Sequence, residues 1–384
     1  MLYLISWLTD FAAFLFLFAG NRYLADQESN VLGILGASFF LASAIANTSA
    51  GMLADRFGRR RVSLIGAIVF VVTVALVSLT GPTGYFFYAA YTLVGASLGT
   101  IYPPLMAWLS VRYSGRQSSR AFLFFCLSFN LGLGTAQVVG GWMYENWGSN
   151  APLVGSLVAA ALALTCIAAL PSAVEQGKPK KEKSDPEVAK RAKMFTYLAW
   201  FANFGGMFSM STVWFLFPSL AVALNVSPST HGAALAIGRG VVMSIYCVMY
   251  LNTHWQFRFR YSLIAQAAGC AGLLGLCLSN TAVGLTASIA GLSTLLGYNY
   301  FASLFYNSKG ADDDRKGRAF GLNEAFLAFG AGGGSLFGGL AAPYFGIRAP
   351  YQMAMCVVGV MATIQCTIYL FKKMPSSEKE LTEW

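Results

Sequence analysis

Residues 51–80 read GMLADRFGRRRVSLIGAIVFVVTVALVSLT. The stretch opens with a short polar segment that holds four arginines, and it continues with 19 uncharged and mostly apolar residues, 62–80. An α-helix rises 1.5 Å per residue, so the core of a bilayer, about 30 Å thick, is crossed by roughly 20 apolar residues. The stretch therefore predicts a membrane-spanning helix that follows a basic loop.

The same pattern recurs along the whole chain. Hydrophobic residues make up 56% of the 384 positions, charged residues only 11%, and the mean hydropathy is +0.58. A soluble domain carries about a quarter charged residues, so this composition excludes an ordinary soluble protein. Long apolar runs without alternation favour helices over a barrel, because backbone groups in lipid must pair within their own segment. The predicted spans are 2–20, 31–52, 62–80, 84–111, 119–143, 151–171, 194–220, 230–251, 261–279, 281–306, 317–341 and 349–371.

The basic residues are distributed unevenly between the two sides of the membrane. With both termini placed in the cytoplasm, 23 of the 26 Lys and Arg fall in cytoplasmic loops or the C-terminal tail. This bias is the positive-inside pattern of multi-pass membrane proteins. The net charge of +10 is therefore interpreted as topology rather than as a nucleic-acid footprint. The predicted location is the plasma (inner) membrane, with the lipid bilayer as the surrounding partner.

A polar segment over 172–193 divides the chain into two halves, 1–171 and 194–384, each with six predicted helices. The halves match at an offset of 198 positions. The matched pairs include Gly99/Gly297, Tyr102/Tyr300, Arg120/Arg318, Gly132/Gly330 and Gly141/Gly339. Two parallel repeats with a binding site at their interface are one architecture of secondary transporters. The sequence thus predicts two six-helix bundles joined by a cytoplasmic linker.

The loop between the second and third spans resembles the G-x-L-a-D-r-x-G-r-r loop of the major facilitator superfamily. The matching residues are Gly51, Asp55, Arg56, Gly58, Arg59 and Arg60. The glycines are interpreted as permitting a tight turn, and the arginines as holding the loop in the cytoplasm. In that family the aspartate is thought to hold the two halves together by facing the start of helix eleven, here around Arg318. The resemblance, which extends to helix number and repeat, implies a twelve-helix transporter with these residues as a conformational latch.

Two other patterns of that family are incomplete here. Antiporters often carry g-x-x-x-G-P-x-x-G-G in helix five, where this chain has Ala136 and Gln137 in place of the glycine and proline. The arginine that many proton-coupled members place in helix four is absent, and Tyr91 stands near that position. Proton antiport remains compatible with the sequence, but these motifs do not establish it.

Three charged residues lie inside predicted spans. A charge in a bilayer costs several kcal/mol, roughly 2.5–3.5 on insertion scales, so each is a functional candidate. Asp10 lies near the middle of the first span and Glu324 is six residues beyond Arg318; both are assigned to proton or ion coupling, because a carboxylate removed from water can bind and release a proton. Arg239, half-way through the eighth span, is assigned to binding an anionic substrate group or to neutralising a carboxylate. For Asp10 the alternative is an inter-helix hydrogen bond.

The resemblance implies that helices one, four, seven and ten line a central cavity. The candidate substrate-binding residues are Arg239, Tyr91, Tyr102, Trp200, Asn203, Tyr298, Asn299 and Tyr300. Each aromatic could instead pack between helices or face lipid. As a set they favour an apolar or amphipathic solute over a sugar.

The leading hypothesis is export of a small amphipathic compound by alternating access, coupled to inward proton movement through Asp10. Its rival within the same class is symport or uniport of a metabolite into the cell, which anion binding at Arg239 would favour. A membrane enzyme finds little support, since the chain has only two histidines, His231 and His254, and no metal-ligand cluster. A non-transporting sensor is the third reading. No cofactor or metal is expected, and a monomer suffices.

Overall fold

A computed structural model describes residues 1–25, 29–82, 84–112, 116–171, 186–310 and 316–371. Within these residues the chain is all-helical, and the predicted twelve helices are confirmed. They are α1 (Leu2–Tyr23), α2 (Ser29–Phe57), α3 (Arg59–Thr80), α4 (Gly84–Arg112), α5 (Arg116–Trp147), α6 (Asn150–Ala168), α7 (Pro186–Ala223), α8 (Pro228–Leu251), α9 (Phe259–Leu278), α10 (Ala282–Gly310), α11 (Lys316–Phe345) and α12 (Ala349–Phe371).

Ten of the described helices are long and apolar enough to cross a membrane. The exceptions are α4 and α10, which at 29 residues each are equally long. Both carry several Tyr, Ser and Thr side chains, many of which face neighbouring helices rather than lipid. Exposed apolar side chains on other helices, such as Val72 and Ile264, provide the surface that contacts lipid. Polar side chains of α4 and α10 such as Ser97 and Ser293 are buried and so lie away from lipid.

The basic motif forms a tighter connection than the sequence suggests. α2 continues through Phe57, and α3 begins at Arg59, so Gly58 alone links them. Gly58 has φ +93°, a conformation that residues with a side chain rarely adopt, so a glycine is required at this position. The sequence predicted that Gly51 would also take part in the turn. This prediction is wrong, because Gly51 lies inside α2. The continuous apolar and Ala-rich sequence before it simply extends the helix.

The predicted linker is partly helical. α7 begins at Pro186, within the segment predicted as a loop over 172–193. Proline suits the first turn of a helix, because its missing N–H would have no intrahelical partner there, and Glu187 favours the same end. Residues 172–185 lie outside the described part of the chain, and the domain bounds 1–171, 172–193 and 194–384 stay a prediction.

The helices α1–α6 pack mainly with one another, as do α7–α12, and the two sets meet along α2/α11 and α5/α8. We call the side where α1 begins and α12 ends the terminal side, and the opposite side the distal side. On the distal side Arg22 donates a hydrogen bond to the carbonyl oxygen of Val226, at 2.8 Å. The backbone N–H of Ser229 donates to Glu145 Oε2, at 2.9 Å. These contacts join the halves and close the distal side.

Repeat-related glycines bring the halves into backbone contact. A Cβ on Gly339 would lie 2.7 Å from the Cα of Gly33, closer than real Cβ atoms approach. A Cβ on Gly141, the repeat partner of Gly339, would collide in the same way with the carbonyl of Pro228. Small residues that let helices approach closely are typical of membrane interfaces. Gly141 and Gly339 thus pack between the halves, whereas Gly132 and Gly330 pack against the first helix of their own half, α1 or α7.

Candidate functional site

Asp10 is held at the centre of the bundle by a tyrosine of α4. The hydroxyl of Tyr102 donates a hydrogen bond to Asp10 Oδ2 at 2.5 Å, and it lies 3.3 Å from the carbonyl oxygen of Ser6. Asp10 is 6% exposed. A carboxylate this deep in an apolar bundle is costly to ionise unless hydrogen bonds or an opposite charge compensate it.

The opposite charge comes from the other half of the chain. Arg239 of α8 lies within Coulomb range of Asp10. Its guanidinium carbon lies 4.6 Å above the ring of Trp214, and its Nη1 donates to Asn130 Oδ1 at 3.4 Å. The Nε and Nη2 atoms are buried, and neither has a hydrogen-bond partner among the described residues. Arg239 therefore bridges the two halves and keeps donors available for an anionic group.

Glu324 extends this cluster from α11. The side chain is half-buried. It lies within Coulomb range of Cys126, Tyr246 and Tyr300. Tyr300 is also within Coulomb range of Asp10, so this tyrosine is near both carboxyl groups. Tyr246 and Tyr300 thus connect Glu324 with Asp10 and Arg239 in one central cluster, and the roles assigned to these three residues stay predictions.

The cluster follows the internal repeat with one exchange. The repeat-related sets are Asp10, Tyr102 and Cys126 in one half and Asn203, Tyr300 and Glu324 in the other. Each half contributes one tyrosine and one carboxyl group. The carboxyl group is on the first helix of the first half but on the fifth helix of the second. Two non-equivalent acids therefore face one interface.

Asn203 joins the cluster indirectly. Its Nδ2 donates to Asn323 Oδ1 at 3.1 Å, and Asn323 Nδ2 donates to Glu324 Oε1 at 3.3 Å. Trp200, one turn away on α7, stacks against Phe326 of α11 with ring centroids 5.6 Å apart. These two predicted substrate residues brace α11 around Glu324.

Tyr91 lies away from the cluster, on the distal side. Its hydroxyl donates to Asn21 Oδ1 at 2.9 Å, and Asn21 Nδ2 donates to the carbonyl oxygen of Trp214, also at 2.9 Å. Tyr91 and Tyr102 are 11 residues apart on α4, so they lie on one face of the helix. Each donates a hydrogen bond to α1, and the two bonds are about 16 Å apart along the helix. Tyr91 is fully buried and helps to join the halves.

Tyr298 and Asn299 face into the second half instead of the interface. Asn299 Oδ1 accepts a hydrogen bond from Ser262 of α9 at 3.0 Å, and its Nδ2 donates to the carbonyl oxygen of Leu295 at 3.0 Å. Tyr298 packs against Trp255 with ring centroids 6.1 Å apart. Successive residues of a helix point about 100° apart, so three neighbours cannot all face one cavity. Of the three, Tyr300 alone reaches the cluster.

The predicted latch depends partly on side chains that the structure does not describe. They are the side chain of Asp55 and those of residues 310–321, including Arg318. Arg56 lies over the ring of Phe57 at 5.3 Å. Arg59 and Arg60 open α3. The latch stays a prediction.

Sequence reasoning missed Tyr246 and Asn130. Tyr246 is seven residues from Arg239, which places both on one face of α8, and its ring lies 6.3 Å from that of Tyr300. Asn130 is four residues from Cys126, on the face of α5 that packs against α8. Helical spacing from Arg239 could have identified Tyr246, and spacing from Cys126, the repeat partner of Glu324, could have identified Asn130.

The cluster can hold protons and charged solute groups. Its two carboxyl groups can accept or release protons, and its guanidinium can bind an anion. No group of three or more His, Cys, Asp or Glu side chains that could hold a metal ion occurs within the residues that the structure describes.

Comparisons with known proteins agree with this architecture. A family model described as Major Facilitator Superfamily matches residues 2–312. The quinolone resistance protein NorA of Staphylococcus aureus (strain MRSA252) is 24% identical over 352 residues, which cover 87% of each chain.

Two solved structures have the same fold. The nucleoside transporter NupG superposes with a TM-score of 0.68 at 13% identity, covering 97% of this chain and 100% of that one. A bacterial homologue of the human lysosomal transporter Spinster, crystallised inward-facing and unoccupied, gives 0.70 at 15% identity, covering 96% and 95%.

Proposed function

The chain belongs to the major facilitator superfamily, and from that premise we propose that this secondary transporter exports a small amphipathic solute in exchange for protons. Membership of this family makes it a membrane transporter rather than an enzyme. Protons enter the cycle at Asp10, with Glu324 as the second proton site. The solute binds in the same central cluster, and the chain acts as a monomer in the plasma membrane.

One observation carries the proton assignment: Asp10 is buried at the interface of the halves, with a hydroxyl donor 2.5 Å away and a guanidinium within Coulomb range. In the ionised form it is compensated by Tyr102 and Arg239 from opposite halves. In the protonated form the attraction to Arg239 is lost. Gain or loss of one proton therefore changes the free energy with which the halves hold together, which is the requirement for coupling to a conformational change.

The solute assignment rests on the mixed character of the cluster. Trp214, Tyr246 and Tyr300 offer aromatic surface, the two carboxyl groups can take an amine, and Arg239 can take a carboxylate. An aromatic compound with one or both of these groups would fit. NorA, which is named for quinolone resistance, motivates a quinolone as the first probe.

The conformation fits an exporter between cycles. With the positive-inside orientation, both termini are cytoplasmic and the distal side faces outward. Contacts at Arg22–Val226 and Ser229–Glu145 then close the outside, so this is not an outward-open state. The cycle proceeds by rocking the halves along α2/α11 and α5/α8, where glycines let the helices slide in close contact.

Uptake of an anionic metabolite by proton symport is the second candidate. It is favoured by Arg239, whose Nε and Nη2 lack partners among the described side chains. The direction of proton-driven flux separates the two candidates.

The test uses purified protein in proteoliposomes, with the quinolone norfloxacin added outside. Antiport predicts that norfloxacin accumulates inside when the interior is acidic, and symport predicts that it accumulates when the interior is alkaline. Norfloxacin is a weak base and is trapped by acid on its own, so protein-free liposomes and the Asp10→Asn variant give the baseline. Accumulation equal to that baseline in both directions contradicts the proposed function.

A further inference from the structure

A second polar site lies on the distal side of the central cluster. A small cavity between α1, α5, α7 and α8 is lined by His231, Gln137, Trp214 and Phe18. The ring of His231 lies between those of Phe18 and Phe217, at centroid distances of 5.0 and 5.1 Å. Both halves of the chain contribute to its walls.

Three buried polar atoms of this cavity have no partner among the described residues. Nδ1 and Nε2 of His231, and Oε1 of Gln137, have no hydrogen-bond partner among the described residues. His231 is 1% exposed and Gln137 is 3% exposed. Buried polar groups in native proteins nearly always have a partner, and an orphaned group is costly. An apolar aromatic at either position would avoid that cost, so these side chains point to a partner that arrives from outside the chain.

Trp214 connects this cavity to the central cluster. Its ring lines the cavity. The guanidinium of Arg239 lies over the same ring, 4.6 Å from the centroid. Phe14, another lining residue, meets the same indole edge-on at 5.7 Å and lies one helical turn beyond Asp10 on α1. A solute that moves from the cluster toward the distal side therefore passes Trp214 and meets His231 and Gln137 next.

We propose that His231 and Gln137 form a second solute-binding subsite, distal to the central cluster, for flat aromatic compounds that carry a hydrogen-bond donor. A neutral imidazole supplies one donor and one acceptor, and the Gln137 Oε1 atom supplies another acceptor. Phe18, Phe217 and Trp214 supply aromatic surface. In the distal-closed conformation the cavity has room for about one water molecule, so the subsite admits solute when the distal side opens. The inference rests on the proposed alternating-access transport.

The chain offers a specific reporter for this subsite. It has two histidines, and the other, His254, is exposed in the connection between α8 and α9. In the His254→Gln variant, diethylpyrocarbonate modification of histidine reports on His231 alone, and mass spectrometry of the α8 peptide gives its rate. The measurement uses the full chain in proteoliposomes, with and without norfloxacin, and norfloxacin binding is measured separately by equilibrium dialysis.

The subsite predicts that His231 is modified when the distal side opens without solute and that bound norfloxacin slows this modification. At ten times its dissociation constant for the subsite, norfloxacin would lower the rate by about tenfold. Gln137→Leu would weaken this protection and leave His231 reactive. Gln266→Leu, which changes a buried glutamine of α9 inside the second half, is the matched control and would leave the protection intact.

The remaining outcomes overturn the proposal in distinguishable ways. If norfloxacin binds and is transported while His231 reacts at an unchanged rate, the cavity holds water only and the proposed function stands. If His231 never reacts, the cavity does not open to solute. If norfloxacin does not bind at all in dialysis, the solute class of the proposed function fails together with this subsite.

Discussion

Asp10 of α1 and Arg239 of α8 lie within Coulomb range of each other at the interface of the two halves. Each is buried, and each has a further partner, Tyr102 for the carboxylate and Asn130 for the guanidinium. Charges buried in a low-dielectric interior interact strongly but lose their hydration. The pair therefore joins the halves only while both residues are charged, and a proton on Asp10 weakens it.

The first prediction concerns this pair and the stability of the protein. Arg239→Gln removes the opposite charge that compensates Asp10, and a charge buried in an apolar interior without compensation is costly. We expect a marked fall in the melting temperature of the purified protein. Asp10→Asn combined with Arg239→Gln restores much of that loss, because neither charge then remains. Strictly additive effects in this double-mutant cycle would show that the two residues do not interact.

The second prediction concerns the hydroxyl of Tyr102. Tyr102→Phe removes a hydrogen bond to the carboxyl group, a kind of bond worth about 1.5–3 kcal/mol. We expect proton-coupled flux to fall while binding of norfloxacin persists. Tyr88→Phe, at an exposed position of the same helix, is the matched control. Equal flux in the two variants would remove Tyr102 from the coupling site.

The third prediction concerns the glycine contact between α2 and α11. Gly339→Ala places a methyl group against Gly33 in the distal-closed state, so the variant favours the distal-open state. We expect faster modification of His231 in the His254→Gln background and slower transport. Gly240→Ala, on α8 with nothing within 4 Å of the added methyl group, tests the effect of alanine alone. If both substitutions act alike, the contact does not govern closure.

The fourth prediction concerns the second acid. Glu324→Gln keeps the hydrogen bond from Asn323, because an amide oxygen can accept it, but removes the charge. We expect flux driven by a pH gradient to fall while the melting temperature changes little. Glu187→Gln, an exposed acid in the first turn of α7, provides the comparison. Full proton-driven flux in Glu324→Gln would restrict coupling to Asp10.

The sequence predicts the helices well, since each is a long apolar run bounded by polar residues. Its errors occur where a helix runs past an apolar segment. α2 continues through the basic motif to Phe57, and α7 begins at Pro186 inside a polar segment. Helix propensity and tertiary packing extend both helices, whereas hydropathy reports only the part that lies in lipid.

The site was predicted less completely. Counting residues along a helix gives the depth of a side chain, and it singled out Asp10, Arg239 and Glu324 as charges inside predicted spans. The direction of a side chain around its helix depends on how the helix is rotated against its neighbours, which one sequence does not reveal. The side chains of Tyr298 and Asn299 therefore face the interior of the second half instead of the cluster. Tyr246 was missed although it shares a face of α8 with Arg239.

Proton release from energised inside-out vesicles tests the central claim most directly. A pH-sensitive dye reports the internal acidity while norfloxacin is added to vesicles that contain the wild type or Asp10→Asn, with immunoblots confirming equal insertion. Export coupled to protons at Asp10 predicts that norfloxacin releases protons in the wild type and releases none above the empty-vesicle level in Asp10→Asn. Equal proton release in both would contradict the role of Asp10 as the coupling residue.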